Sequence, residues 1–120
     1  DPLGANLDLP AGPTEQMIIA DHTANPAWIA ADLLSQAEHG ADSQVILVTN
    51  QANLIVEVQQ QLVEQLKLLP RQAIATQALQ QSYVIEVPNL TQACEIANRY
   101  APEHLLLQIE EPRRYTAMID

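Results

Sequence analysis

Apolar positions along this chain fall into two alternating rhythms. "QMIIA" (16–20) reads as a short strand, and "QVILVT" (44–49) is a short apolar run without alternation. That is the pattern of a strand covered on both faces, which implies a parallel sheet between helices. Between them, Asn25 followed by Pro26 marks a helix start. The Asn side chain can cap the first free N–H groups, and proline costs nothing at the first helical position. The spacing predicts an inner side of Trp28, Ile29, Leu33 and Ala37, and a stop at Gly40 in the left-handed conformation. From Asn50 a longer helix is expected, with Ile55, Val58, Leu62, Leu66 and Leu69 inward and a solvated face of Gln, Glu and Lys.

Pro70 breaks that helix, "RQAIATQALQQ" restarts it, and "YVIEV" (83–87) is a third strand. Asn89, with Gln92 three residues on, reads as an N-cap with a capping-box partner. The helix it opens should end near Tyr100, because Ala101 precedes Pro102. "HLLLQI" (104–109) is a fourth strand, whose direction the sequence leaves open, and "EEPRRYTAMID" starts a last helix. At the other end, "AGPTE" (11–15) reads as a turn into the first strand. The order β, α, β, α, α, β, α, β, α gives an α/β class, with a mostly parallel sheet and helices on both faces. Sites in such sheets are expected at the carboxyl ends of the strands.

Length and composition agree with one domain: 120 residues, of which 48% are apolar, suffice for one core. Acidic residues outnumber basic ones 15 to 5, and only Arg113 and Arg114 are adjacent, which argues against a nucleic-acid surface. The single cysteine, Cys94, reads as a small core residue in a reducing, cytoplasmic protein. No apolar run approaches the roughly 18 residues of a membrane span, so no membrane partner is expected. The chain opens at Asp1 without methionine and its last helix stops partway, which leads us to expect an excised piece of a larger chain.

Two polar pairs could carry chemistry. Gln36 and His39 are three apart at a helix end. They could reach one point, and the negative helix C-terminus favours a cation such as zinc. Glutamine is an unusual zinc ligand and two ligands are too few, so the pair read alone is a solvated helix end. Glu103 and His104, at a helix-to-strand junction, offer two proton carriers, with ordinary loop polarity as the alternative. His22 reads as a surface loop residue and Trp28 as core or an interface anchor. The three glycines never form G-x-G-x-x-G, and there is no P-loop or G-x-S-x-G elbow.

"LDLPAGPTE", "AADLLSQAEHGADSQVILVT" and "NRYAPEHL", in this order and spacing, resemble histidinol dehydrogenase over nearly the whole chain. The resemblance implies an incomplete Rossmann-like layer domain, residues 1–120, from the central part of a larger enzyme. It implies oxidation of L-histidinol to L-histidine with NAD in two steps through an aldehyde, the last step of histidine biosynthesis. By the same resemblance Gln36 and His39 would be zinc ligands that also face the substrate, which zinc holds by its imidazole and amino group. His104 would take the hydroxyl proton, and Glu103 would activate the water that adds to the aldehyde. Thr14 stands where the family usually has a substrate-contacting serine.

The family's other zinc ligands, an aspartate and a histidine, would come from beyond residue 120. The histidine would belong to the partner of a homodimer with a shared active site. The cofactor-gripping residues would lie mostly in a preceding domain. The chain alone is therefore expected to bind zinc weakly and to turn over no histidinol. A non-catalytic α/β docking or assembly module is the rival reading, and it would leave the "QAEH" and "PEH" loops far apart. A flavodoxin-like phospho-acceptor switch fits poorly, because "VILVT" ends in Thr49 and Asn50 and the sole lysine is Lys67.

Overall fold

β1, Gln16–Ala20, is buried along its whole length, because strands pair with it on both sides and helices cover both of its faces. It is the first element of a computed structural model that describes residues 16–119. The expected turn at 11–15 and Thr14 lie outside those residues. The elements follow the predicted order: α1 (Pro26–Ala37), β2 (Val45–Thr49), α2 (Ala52–Leu66), α3 (Gln72–Gln80), β3 (Tyr83–Glu86), α4 (Leu90–Tyr100), β4 (His104–Gln108) and α5 (Pro112–Thr116).

The four strands lie in the order β3-β2-β1-β4, and every pairing is parallel. The direction of β4, open in the sequence, is thus decided by its partner β1. The two strands run in register from Gln16 opposite His104 to Ala20 opposite Gln108. Side chains alternate across the sheet. Met17, Ile19, Ile46 and Val48 pack under α4 with Ala93, Ile96 and Ala97. Ile18, Ala20, Val45 and Leu47 pack on the opposite face with Ile29, Ala30 and Leu33 of α1 and Leu54 and Val58 of α2. Helices therefore cover both faces, as the unbroken apolar run at 44–49 required.

The ends of the elements depart from the sequence pattern in informative ways. Asn25 caps α1 as expected, its Oδ1 accepting from the N–H groups of Ala27 and Trp28. The helix stops at Ala37, three residues before Gly40, and Glu38 is a right-handed cap. The N–H groups of Glu38 and His39 bond to the carbonyls of Leu34 and Gln36, so the last turn closes itself without a left-handed residue. Gly40 instead admits Asp42: a Cβ at Gly40 would stand 3.0 Å from the Asp42 carboxylate oxygen. Trp28 is also corrected, being 67% exposed on the outer side of α1, one residue off the stripe of Ile29, Ala30, Leu33 and Leu34. α2 ends at Leu66, ahead of Pro70, and only Leu54 and Val58 of its inner face are fully buried.

The cap of α4 forms in part. Asn89 Oδ1 accepts from the Gln92 N–H at 2.9 Å, while Gln92 Oε1 is buried without a partner among the described residues, so the reciprocal half of the box does not form. The helix ends at Tyr100, as the nearby proline dictates. Ala101 takes φ 42°, the left-handed region, and donates its N–H to the Ala97 carbonyl. A Cβ is strained there, so Ala101→Gly is expected to stabilise the fold by about 1 kcal/mol. Urea denaturation midpoints of the two proteins measure the difference, and an equal or lower midpoint for the variant would contradict it. Cys94 is buried on α4, and burial, with Glu95 adding to it, pushes its thiol pKa up. That environment suits a packing residue better than a nucleophile.

Candidate functional site

Both sequence-predicted pairs sit at the amino ends of the strands. The expectation that a site would open at the carboxyl ends is corrected for these residues. The reason is connectivity: α1 and α4 each carry the chain back across the sheet, so the residues after each helix emerge where the next strand begins. Gln36 is in the last turn of α1, His39 lies just past it, and the chain enters β2 at Val45. Glu103 lies beyond the end of α4, and His104 is the first residue of β4. β2 and β4 flank β1, so Val45 and His104 stand two strand spacings apart, about 9.5 Å.

The face that each residue occupies can be read from the register. Leu106 packs with Ile18 on the α1 side, so His104, two residues earlier, lies on that side as well. Gln36 and His39 sit at the end of the helix that covers this face. Glu103, in the turn before the strand, borders a cleft of about 220 Å³ beside Ala97, Asn98 and Ala101 of the α4 side. Gln36 is half-buried, while His39, Glu103 and His104 are exposed.

The loop from α1 to β2 is anchored by polar side chains that nothing in the sequence pattern singles out. Gln81 donates from Nε2 to the carbonyls of Ala41 and Ser43, at 2.9 and 3.0 Å. Gln44 donates to the Gln81 carbonyl, and the Val45 N–H donates to Ser82 Oγ at 3.0 Å. This network ties the segment after His39 to the start of β3.

At the opposite, carboxyl edge, Asp21, His22 and Glu110 gather where β1 and β4 end, with one ligand atom from each within 4.8 Å of the others. Asp21 is only 5% exposed, and its role there is structural. Its Oδ1 accepts from the Thr23 N–H at 2.9 Å and from the Thr23 hydroxyl at 2.6 Å. Its Oδ2 accepts from the Glu110 N–H at 2.9 Å, and its own N–H donates to the Gln108 carbonyl. Burial alone would raise its pKa, but the hydrogen bonds from Thr23 and Glu110, helped by His22, prevail and hold it below the ordinary carboxylate value. His22 and Glu110 form an exposed pair at 3.5 Å. Asp21 was not among the residues expected to matter, and its one signal in the sequence is a lone acid directly after the apolar residues Met17 to Ala20.

Comparison with known proteins identifies the setting. A family profile described as histidinol dehydrogenase matches residues 3–120. The chain belongs to the histidinol dehydrogenase family. A histidinol dehydrogenase of Xanthomonas campestris pv. campestris (strain 8004) is 56% identical over 116 residues, which are 97% of this chain and 27% of that protein. One from Colwellia psychrerythraea is 56% identical over 108 residues, 90% of this chain and 25% of its own length. The crystal structure of histidinol dehydrogenase from Elizabethkingia anophelis superposes with a TM-score of 0.88 at 53% identity, covering 94% of this chain and 26% of that one. The chain thus spans about a quarter of the length of the histidinol dehydrogenases it matches. Among the described residues, no helix is long and apolar enough to cross a membrane.

Proposed function

We propose that this chain is the part of a histidinol dehydrogenase that supplies two zinc ligands and the acid/base pair for oxidising L-histidinol to L-histidine. The observation that carries the reading is the shared amino edge. Gln36 with His39, ahead of β2, and Glu103 with His104, at the start of β4, lie at the same end of the sheet, and β2 and β4 flank β1. A docking module gives no reason for that shared edge.

An amide oxygen and an imidazole nitrogen at the negative end of a helix suit half of a zinc coordination set. Gln36 and His39 would hold the ion, and the remaining ligands would come from other parts of a homodimeric enzyme. Zinc would supply orientation of the substrate's imidazole and amino group, and NAD would accept the electrons. The present residues offer no phosphate-cradling glycine loop, so NAD is assigned no contact on this chain. His104, exposed at the mouth of β4, would take the proton from the substrate hydroxyl. Glu103 would take a proton from the water that adds to the aldehyde carbon. Thr14 would place its hydroxyl against the substrate. Such general-base steps contribute rate by holding an acceptor within hydrogen-bond reach of the departing proton. The enzyme would work in the cytoplasm.

Zinc titration by calorimetry tests the ligand assignment. A full-length histidinol dehydrogenase carrying this sequence is expected to bind one zinc per subunit tightly, and the present chain weakly. The double change Gln36→Ala with His39→Ala should abolish the weak binding. Equal binding by the chain and its double variant would remove these two residues from the zinc site.

A further inference from the structure

We propose that Gln16 is a positioning residue for His104, its side-chain oxygen accepting an imidazole N–H and so fixing which ring nitrogen faces the substrate. Gln16 is the one polar residue in β1 and is 8% exposed. Its Oε1 is buried and has no hydrogen-bond partner among the described residues. Buried amide oxygens nearly always have a donor, so one without a donor calls for an explanation.

The sheet supplies a candidate. On the face covered by α1, the first row of side chains reads Val45, Gln16, His104 across β2, β1 and β4. Neighbouring strands are about 4.8 Å apart, which puts the Gln16 and His104 side chains side by side on one face. Val45 offers no side-chain donor. His104 offers an N–H in either tautomer, and its side chain is exposed. In the proposed contact that side chain turns toward β1 and donates to the buried oxygen. The nitrogen that donates to Gln16 carries the hydrogen, leaving the other with its lone pair toward the amino edge, as a base requires. The catalytic part of this inference rests on the proposed role of His104; the contact itself does not.

The test is the tautomer ratio of His104, read from long-range ¹H–¹⁵N spectra of the labelled chain at a pH where the ring is neutral. The signal is assigned by its loss in His104→Asn. Gln16→Leu removes the acceptor while keeping an apolar bulk in a buried row, and is expected to change the ratio at least two-fold toward that of a free imidazole. Gln16→Glu keeps an acceptor and should preserve the bias. Gln16→Met serves as a second apolar variant if the leucine chain does not fold. An unchanged ratio in a folded apolar variant, or a glutamate variant that behaves like it, overturns the contact. In a full-length dehydrogenase carrying this sequence, Gln16→Leu should lower kcat several-fold at unchanged KM, with recovery in Gln16→Glu. Full activity of His104→Asn would instead sink the proposed function, and would leave the tautomer result standing.

Discussion

Changing His104 to Asn in a full-length histidinol dehydrogenase carrying this sequence is expected to lower kcat about 10²–10⁴-fold, the ordinary contribution of a positioned general base. His104 opens β4 and its side chain is exposed, so the fold has little stake in the imidazole. KM for histidinol should therefore change much less than kcat, since the proposed reading gives most of the binding to the zinc held by Gln36 and His39 and to Thr14, and the proton transfer to His104. Glu103→Gln should behave differently. It removes the acceptor for the proton of the attacking water, so oxidation of the aldehyde should slow more than oxidation of the alcohol. Steady-state rates with histidinol and with the aldehyde as separate substrates distinguish the two. A His104→Asn enzyme with kcat near that of the unmodified protein would refute the assignment of the base.

The largest effect on stability is expected at Asp21. This buried carboxylate accepts from two N–H groups and one hydroxyl, and so ties the end of β1 to the segment after β4. Asp21→Ala would leave the N–H groups of Thr23 and Glu110 without their acceptor. The expected loss is about 1.5–3 kcal/mol at pH 7, the range for hydrogen bonds to a charged group. The pH dependence has a definite sign. The folded pKa lies below the unfolded one, so the stabilisation is fully present above the unfolded value, near 4. It is lost as pH falls through the lower, folded value. Urea denaturation across the acid range up to neutrality measures both, and Asp21→Asn should flatten the acid limb. An unchanged acid limb in the Asn variant would show that other carboxylates govern it.

Local chemistry in the sequence determined most of the elements. Asn25-Pro26 and Asn89 cap helices because a short polar side chain meets free N–H groups wherever a helix starts, regardless of context. "VILVT" lacks alternation because both faces are covered, which is why parallel pairing is legible in the residues themselves. The four candidate residues Gln36, His39, Glu103 and His104 are legible through their motifs, and they emerge at one edge of the sheet.

Tertiary structure decided whatever depends on neighbours distant in the chain. The direction of β4 is set by β1, far earlier in the chain, and no residue of "HLLLQI" encodes it. The amino-edge location of the two pairs arises from the helix connections, against the usual preference for carboxyl ends. Gly40 is no left-handed cap, because a helix can close its last turn with right-handed residues, and its space is needed by Asp42. Trp28 leaves the core because one residue is a 100° step around a helix, enough to move a ring into solvent. Gln81, Asp21 and Gln16 look like ordinary polar residues in the sequence. The importance of Gln81 and Asp21 comes from partners that only the folded sheet brings within reach, and that of Gln16 from its burial at the start of β1.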